Sequence, residues 1–537
     1  MIYNKVTLGP SYTLINNYKM GDCPSLENKF KLYDEVTCST YYLGLQYDDK
    51  FNQLVLPRGL DISYIMNTVN RYNNTEDIWT YNRIRFHNFD KINNPIRLKY
   101  PPRDNRQRTA LEFMTCNGKY EPLHDKSQFS VNLPTGAGKT YCGIATIAYL
   151  GIKTVIITAQ TGILEQWKSS FRNHSDINND DMYTLTSGSI NRILYGSNSN
   201  YLNKSIYFVT HSTLKSYGDS NGWDKIDELF KVLKIGIKIY DEAHQNFNNM
   251  IDIDYHTNVY RTYYLTATPG RSDTNENKIY KLYMQNIPFV SLFDNVLDPH
   301  TKYIALRYNS FPTPFDLSKC RNKYGLNHMA YIDYLMNNRY FWIMFDYIFD
   351  MVEKAGGKAL FYIGKNSAIE LVMNRIITLY PEYRNDIGIY TSISDNKKDA
   401  KEKRFILTTT KSAGAGEDIA GLKFSVVLAE PFKSEILAKQ TLGRTRDRYT
   451  YYIELVDVGF RQIVKYYNTK KPIFNKYALD PRQNSISKDQ MYSIQNQAFE
   501  SRLWRSHRLI KTNVQDEPIQ LIHIVNNEPV DIITKLL

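Results

Sequence analysis

The octapeptide Leu133-Pro134-Thr135-Gly136-Ala137-Gly138-Lys139-Thr140 joins a short apolar run, Phe129–Leu133, to a helix-like run, Tyr141–Leu150. A strand that ends in a glycine-rich curl and restarts as a helix is half of a crossover unit, and crossover units build parallel sheets covered by helices. The glycines let successive backbone N–H groups turn toward one centre, and the helix start adds a partial positive charge there. Phosphate suits that centre. Pro134, Thr135, Gly136, Ala137, Gly138, Lys139 and Thr140 are therefore the expected nucleotide-binding set, a Walker A loop with ATP as its ligand. Lys139 would reach the β- and γ-phosphates, and Thr140 would hold Mg2+. Leu133 stands where the pattern usually has its first glycine or alanine.

The alternation of strand, loop and helix continues on both sides. Apolar runs at Thr154–Thr158, Ile206–Thr210, Ile235–Tyr240 and Thr262–Leu265 predict further buried strands up to about Pro288. A second series begins near Tyr331 with one long amphipathic helix to about Lys354, closed by Gly356-Gly357. Strand Ala359–Ile363, helix Ala368–Leu379 and strands Phe405–Thr409, Ser425–Leu428 and Tyr451–Val456 follow. The region before about Tyr100 reads differently. Tyr41–Tyr47 and Phe51–Leu56 flank Asp48-Asp49-Lys50 as a hairpin, Leu56-Pro57-Arg58-Gly59 breaks the pattern, and Pro95, Pro101 and Pro102 mark a boundary. The expected class is α/β: two parallel-sheet lobes in tandem, a small β-containing N-terminal domain and a C-terminal extension. The expected divisions are 1–100 (accessory, a candidate nucleic-acid binder), 101–300, 301–469 and 470–537, the last polar and less regular.

Tyr240-Asp241-Glu242-Ala243-His244 follows an apolar run, which places two acids at a strand's carboxyl end. Asp241 would bind Mg2+, and Glu242 would orient and deprotonate the water that attacks a loose phosphoryl transition state. His244 would link the nucleotide to neighbouring motifs. A net charge of +12 suits a polyanionic partner. The five cysteines show neither zinc spacing nor a disulfide framework, no run approaches a membrane span of about 20 apolar residues, and the N-terminus has no apolar signal core. A cytoplasmic protein that needs no membrane is expected.

At this point the chain, over roughly Arg103 to Val456, resembles superfamily 2 helicases, whose two lobes are RecA-like. The resemblance rests on the two motifs above and several shorter ones. Thr266-Ala267-Thr268-Pro269 is similar to the segment that couples hydrolysis to nucleic-acid binding, which implies coupling roles for Thr266 and Thr268. Gln107-Arg108-Thr109-Ala110 resembles the glutamine motif that reads adenine. Thr158-Ala159-Gln160-Thr161 through Gln166-Trp167 resembles the first nucleic-acid-contact motif, with Gln160 where proline is usual, and Thr210-His211-Ser212-Thr213-Leu214 resembles a further backbone-contact segment. These imply contacts from Gln160, Thr161, Thr210 and Ser212.

In the second lobe, Thr410-Lys411-Ser412-Ala413-Gly414-Ala415-Gly416-Glu417-Asp418 resembles a glycine-x-aspartate motif, with Thr410 toward nucleic acid and Gly416 and Asp418 toward the nucleotide. Gln440-Thr441-Leu442-Gly443-Arg444-Thr445-Arg446-Asp447-Arg448 resembles the arginine-finger motif. Gln440 and Arg444 fit its pattern. The second arginine is Arg446 or Arg448, because Asp447 occupies its usual place. Within the superfamily the chain is similar to the phage UvsW and XPB-like branch, which implies remodelling of duplex or branched DNA.

The resemblance implies an enzyme that hydrolyses ATP with Mg2+ to move along or open nucleic acid, DNA before RNA, as a monomer, in phage or viral replication, recombination or repair and so in a host cytoplasm. An RNA helicase or transcript-release factor, and an ATP-gated clamp with little turnover, are the alternatives. Arg502, Arg505, Arg508 and Lys511 recur every third residue around Leu503-Trp504, either as a DNA contact or as the solvated face of a packed helix.

Overall fold

The computed structural model describes residues 4–496 except 35–38, 74–78, 135, 197–198, 268–269, 271–273, 293–300, 324, 392–393, 395, 414–418 and 443–449. Met1–Val296 form one compact unit and Leu297–Leu537 a second.

The first unit is organised by a seven-stranded sheet. Its strands lie in the order Met182–Thr184, Ile206–Thr210, Thr154–Thr158, Ile237–Asp241, Arg261–Thr266, Gln128–Asn132 and Phe289–Ser291. Every neighbouring pair is parallel. Both faces are covered, so the strands read as continuous apolar runs, yet alternate side chains still go to opposite cores. Val155, Ile157, Tyr207, Val209, Tyr240 and Tyr264 enter one core, and Ile156, Ile206, Phe208, Ile237, Ile239, Tyr263 and Leu265 enter the other.

The first of these cores also contains Val6, Ile15, Leu54 and Leu56 from the N-terminal segment. That segment forms a five-stranded sheet in the order Gln46–Asp48, Gln53–Pro57, Tyr12–Asn16, Asn4–Leu8 and Trp79–Arg83. Its first three pairings are antiparallel and its last is parallel. The hairpin around Asp48 is present, tightened by Asp48 Oδ1 accepting from the N–H groups of Lys50 (3.0 Å) and Phe51 (3.3 Å). Tyr41 and Tyr42 pair instead with Leu32 and Lys31 in a separate two-stranded sheet. Gly59 explains part of the Leu-Pro-Arg-Gly element: a Cβ there would lie 2.1 Å from the Tyr283 carbonyl oxygen, and the Gly59 carbonyl accepts from Asn286 N–H at 3.0 Å. Only glycine allows that approach. The proline-marked stretch lies against the large sheet's surroundings, with Ile92 N–H bonded to Gly151 O (2.9 Å) and Lys99 N–H to His174 O (2.8 Å).

The second unit carries another seven-stranded sheet: Ile387–Tyr390, Phe405–Thr408, Lys358–Ile363, Leu422–Ala429, Thr450–Asp457, Thr301–Tyr308 and Leu479–Ser485. All its pairings are parallel as well. Two local expectations are corrected here. The single helix from Tyr331 to Lys354 is two, His328–Met336 and Arg339–Ala355. Asn338 separates them by accepting from the N–H groups of Tyr340 (2.9 Å) and Phe341 (3.0 Å) as a new N-cap. Regular structure also continues past Thr469, through helix Arg461–Tyr477 and edge strand Leu479–Ser485.

Candidate active site

Because the strands of the first large sheet are parallel and in register, Asn132, Thr158, Thr210, Asp241 and Thr266 end along one edge. Ligands of open α/β sheets bind at the carboxyl ends of the strands. Five motifs scattered through the first unit's sequence therefore converge there.

The glycine-rich curl leaves the strand with Leu133 N–H bonded to Thr266 O at 3.1 Å. Gly136 and Gly138 take φ of +80° and +90°, where L side chains are strained. Helix Lys139–Leu150 starts directly from Gly138 with no side-chain cap. Gln107 braces this curl. Asp104 caps its helix by accepting from Gln107 N–H at 3.0 Å, Gln107 Nε2 donates to Ala137 O at 3.0 Å, and Gln107 Oε1 accepts from Arg103 N–H at 2.8 Å. Both ends of the carboxamide are thus engaged within the chain.

The acidic motif meets the curl. Lys139 Nζ lies 3.2 Å from Glu242 Oε1, both side chains being buried. Glu242 holds φ +51°, an uncommon left-handed conformation for a residue with a side chain, directly after the strand ends. Asp241 is oriented through both oxygens: Oδ1 accepts from Glu242 N–H at 3.0 Å and Oδ2 from the Trp167 indole N–H at 2.7 Å. Burial and the neighbouring Glu242 push the Asp241 carboxyl up to about 6, against the opposing pull of Lys139 and the indole. His244 Nδ1 sits 3.4 Å from Glu242 Oε2 and 2.9 Å from Thr266 Oγ1, so it bridges the two strand ends.

The contact motifs start the two adjacent helices. Gln160 is the half-buried N-cap of helix Thr161–His174, and Thr161 is exposed. Thr210 is buried and its hydroxyl accepts from Thr213 N–H at 3.1 Å as a helix cap, whereas Ser212 is exposed. His211 is fully buried, stacks on Tyr240 and, among the described residues, has no hydrogen-bond partner on either ring nitrogen. Burial pushes its imidazole from 6.5 down to about 3. An unfolded histidine takes up a proton below about pH 6.5 that the folded one refuses, so stability is full above that pH and falls as pH drops toward 3. At pH 5 this amounts to about 2 kcal/mol. His211→Phe, which keeps the stacking ring, should therefore flatten the pH dependence of the melting temperature between pH 7 and 5. An unchanged slope would show that other groups set it.

In the second unit, Thr410 donates its N–H to both Glu430 oxygens at 2.9 and 2.8 Å. Gln440 falls in helix Glu435–Leu442. Thr135, Thr268, Gly416, Asp418, Arg444, Arg446, Arg448 and the basic segment 502–511 lie outside the described residues.

Residues 96–271 match the family model for the type III restriction enzyme res subunit. They include the phosphate curl, the acidic motif and both contact motifs of the first sheet. The two seven-stranded parallel sheets are the α/β lobes expected from the sequence. Among its relatives is a Haloarcula marismortui protein carrying the name DNA 3'-5' helicase Rad25, 26% identical over 149 residues; the match covers 28% of this chain and only 21% of that protein. Among solved structures, UvsW of T4 is 13% identical with a TM-score of 0.34, covering 90% of this chain and 99% of that one. S. cerevisiae Dbp5, bound to RNA and ADP BeF3, is 14% identical with a TM-score of 0.47, covering 75% and 94%. No helix among the described residues is long and apolar enough to cross a membrane. Two features of the site are not visible in the sequence: the indole bond to Asp241, and the use of Gln107 as a brace for the curl.

Proposed function

We propose that this chain is an ATP-dependent DNA helicase or translocase that remodels duplex or branched DNA. The observation that carries the reading is the meeting of Lys139, Asp241 and Glu242 beside the glycine curl, on the same sheet edge from which both contact motifs emerge. The residues fit a magnesium nucleotide. The curl offers backbone N–H groups to phosphate, and Thr140 and Asp241 offer a hydroxyl and a carboxylate, the hard oxygen donors Mg2+ prefers when it is shared with phosphates. Among the described residues no cluster of three or more His, Cys, Asp or Glu competes as a metal site. Bound there by Thr140 and Asp241, Mg2+ would supply positive charge that offsets the charge developing on the phosphates. Lys139 then holds the β- and γ-phosphates, and Glu242 receives the proton of the attacking water. His244, touching both Glu242 and Thr266, relays the change to the next strand end. Contacts to phosphate backbone read little base sequence, so low sequence specificity follows.

DNA is favoured by the name of the Rad25 relative and by the similarity to the UvsW and XPB-like branch. The test is steady-state phosphate release with Mg2+, alone and with single-stranded, duplex and forked DNA and with RNA. Stimulation by duplex or forked DNA is expected. Stimulation by RNA alone would move the assignment to an RNA helicase, and the same low turnover with every nucleic acid would favour a clamp.

A further inference from the structure

Trp167 is the largest fully buried side chain of the first unit, and its surroundings exceed what core filling requires. Its indole N–H reaches Asp241 Oδ2 at 2.7 Å. The far edge of the same ring lies against the helix that carries Lys139 and Thr140: a Cβ on Gly143 would come within 2.6 Å of Trp167 Cη2. The indole is thus wedged between the two elements that are to hold the metal nucleotide, and Gly143 is the residue that admits it. Trp167 also belongs to helix Thr161–His174, whose first turn is the exposed end of the first contact motif. Six residues separate Thr161 from Trp167, roughly 9 Å along the axis at about 1.5 Å per residue. One short helix therefore has a candidate nucleic-acid contact at its start and the partner of the metal carboxylate less than two turns later.

A helix of this length moves as a rigid body. Its buried side is fixed by Ile163, Leu164, Trp167 and Phe171, all in the core cluster that also holds Ile144 and Leu265. A shift of this helix at Thr161 would carry the indole with it, and the indole's hydrogen bond would turn that shift into a change at the Asp241 carboxylate. Among the described residues, the other Asp241 oxygen accepts a hydrogen bond only from the next residue's N–H, on the strained turn at Glu242.

We propose that Trp167 is a positioning residue that ties occupancy of the first nucleic-acid-contact segment to the alignment of Asp241 toward Mg2+. This rests on the functional reading above and adds the element through which nucleic acid stimulates hydrolysis. Trp167 does not touch the reacting atoms; it acts through Asp241.

The test compares wild type, Trp167→Phe and a protein with benzothienylalanine at position 167, which keeps the shape of the ring and removes only the N–H. ADP binding is measured by calorimetry with and without Mg2+, and hydrolysis with and without forked DNA. The isosteric replacement should keep the melting temperature and the Mg2+-free ADP affinity of wild type. It should lose about 10- to 100-fold of the affinity increase that Mg2+ confers, the effect of one hydrogen bond to a charged group. The fold-stimulation by DNA should fall by a similar factor. An Mg2+ effect and a stimulation equal to wild type would overturn the proposal. So would an equal loss of ADP binding with and without Mg2+, which would make Trp167 a packing residue. If no nucleic acid stimulates wild type, the functional reading fails and the coupling with it, while the calorimetry still decides whether Trp167 positions Asp241.

Discussion

Glu242→Gln is expected to lower ATP turnover by at least ~100-fold while changing nucleotide affinity by no more than a few-fold. The amide keeps the size of the carboxylate and can still accept from Lys139, whose ammonium lies 3.2 Å from Glu242 Oε1. What it loses is the capacity to take a proton from water. A proton acceptor placed beside the attacked phosphate contributes in this range, because the loose transition state leaves the protein little else to do than position and polarise. Single-turnover phosphate release, paired with equilibrium binding of a fluorescent ADP, separates the two effects. A variant with near-normal turnover would mean that Glu242 is only a partner for Lys139 and His244. One that no longer binds nucleotide would mean that the ion pair holds the curl in shape.

Asp254→Leu should produce the largest loss of stability, about 3–5 kcal/mol. Asp254 is fully buried and takes Lys238 Nζ at 2.5 Å, Tyr240 Oη at 2.9 Å, Tyr264 Oη at 2.6 Å and Tyr283 Oη at 2.5 Å. Removing it strands an ammonium and three phenols in the core. Burial already pushes the Lys238 ammonium down, with Asp254 opposing that shift. Replacing both partners, Lys238→Met with Asp254→Leu, should cost less than Asp254→Leu alone, since no unpaired charge remains. Urea titration followed by tyrosine and tryptophan fluorescence measures these two variants and Lys238→Met alone. A double variant that simply adds the two single losses would show that the pair does not act as a unit.

The parallel sheets and the motif positions were legible because both are local. Strands such as Thr154–Thr158 are short buried runs, and the glycine curl announces itself between strand and helix. Elements that depend on distant partners were not. Met182–Thr184 and Phe289–Ser291 are three-residue edge strands with no room for a pattern. Thr301–Tyr308 carries Lys302 and Arg307 within an otherwise buried run, and reads as a loop until it is seen between Thr450–Asp457 and Leu479–Ser485. The break at Asn337-Asn338 was hidden because apolar spacing continues across it. Trp167 closes the segment that resembles the first contact motif, and its partner lies 74 positions away. Gln107 was read by its motif, yet its bonds to Ala137 and Arg103 depend on the folded curl.

The position of strand Gln128–Asn132 in its sheet has a temporal meaning. Among the described residues it pairs only with Arg261–Thr266 and Phe289–Ser291, both more than a hundred residues later in the chain. Such long-range pairing must close a large loop before it is rewarded. At roughly 5–20 residues per second on a ribosome, the glycine curl emerges about ten seconds before the strands that hold it. Until they arrive, Asn132 has no neighbours to set the direction of the chain into the curl. Nucleotide binding is therefore a late-acquired property of the nascent chain, and ATP would discriminate between a finished first unit and one still awaiting its last two strands.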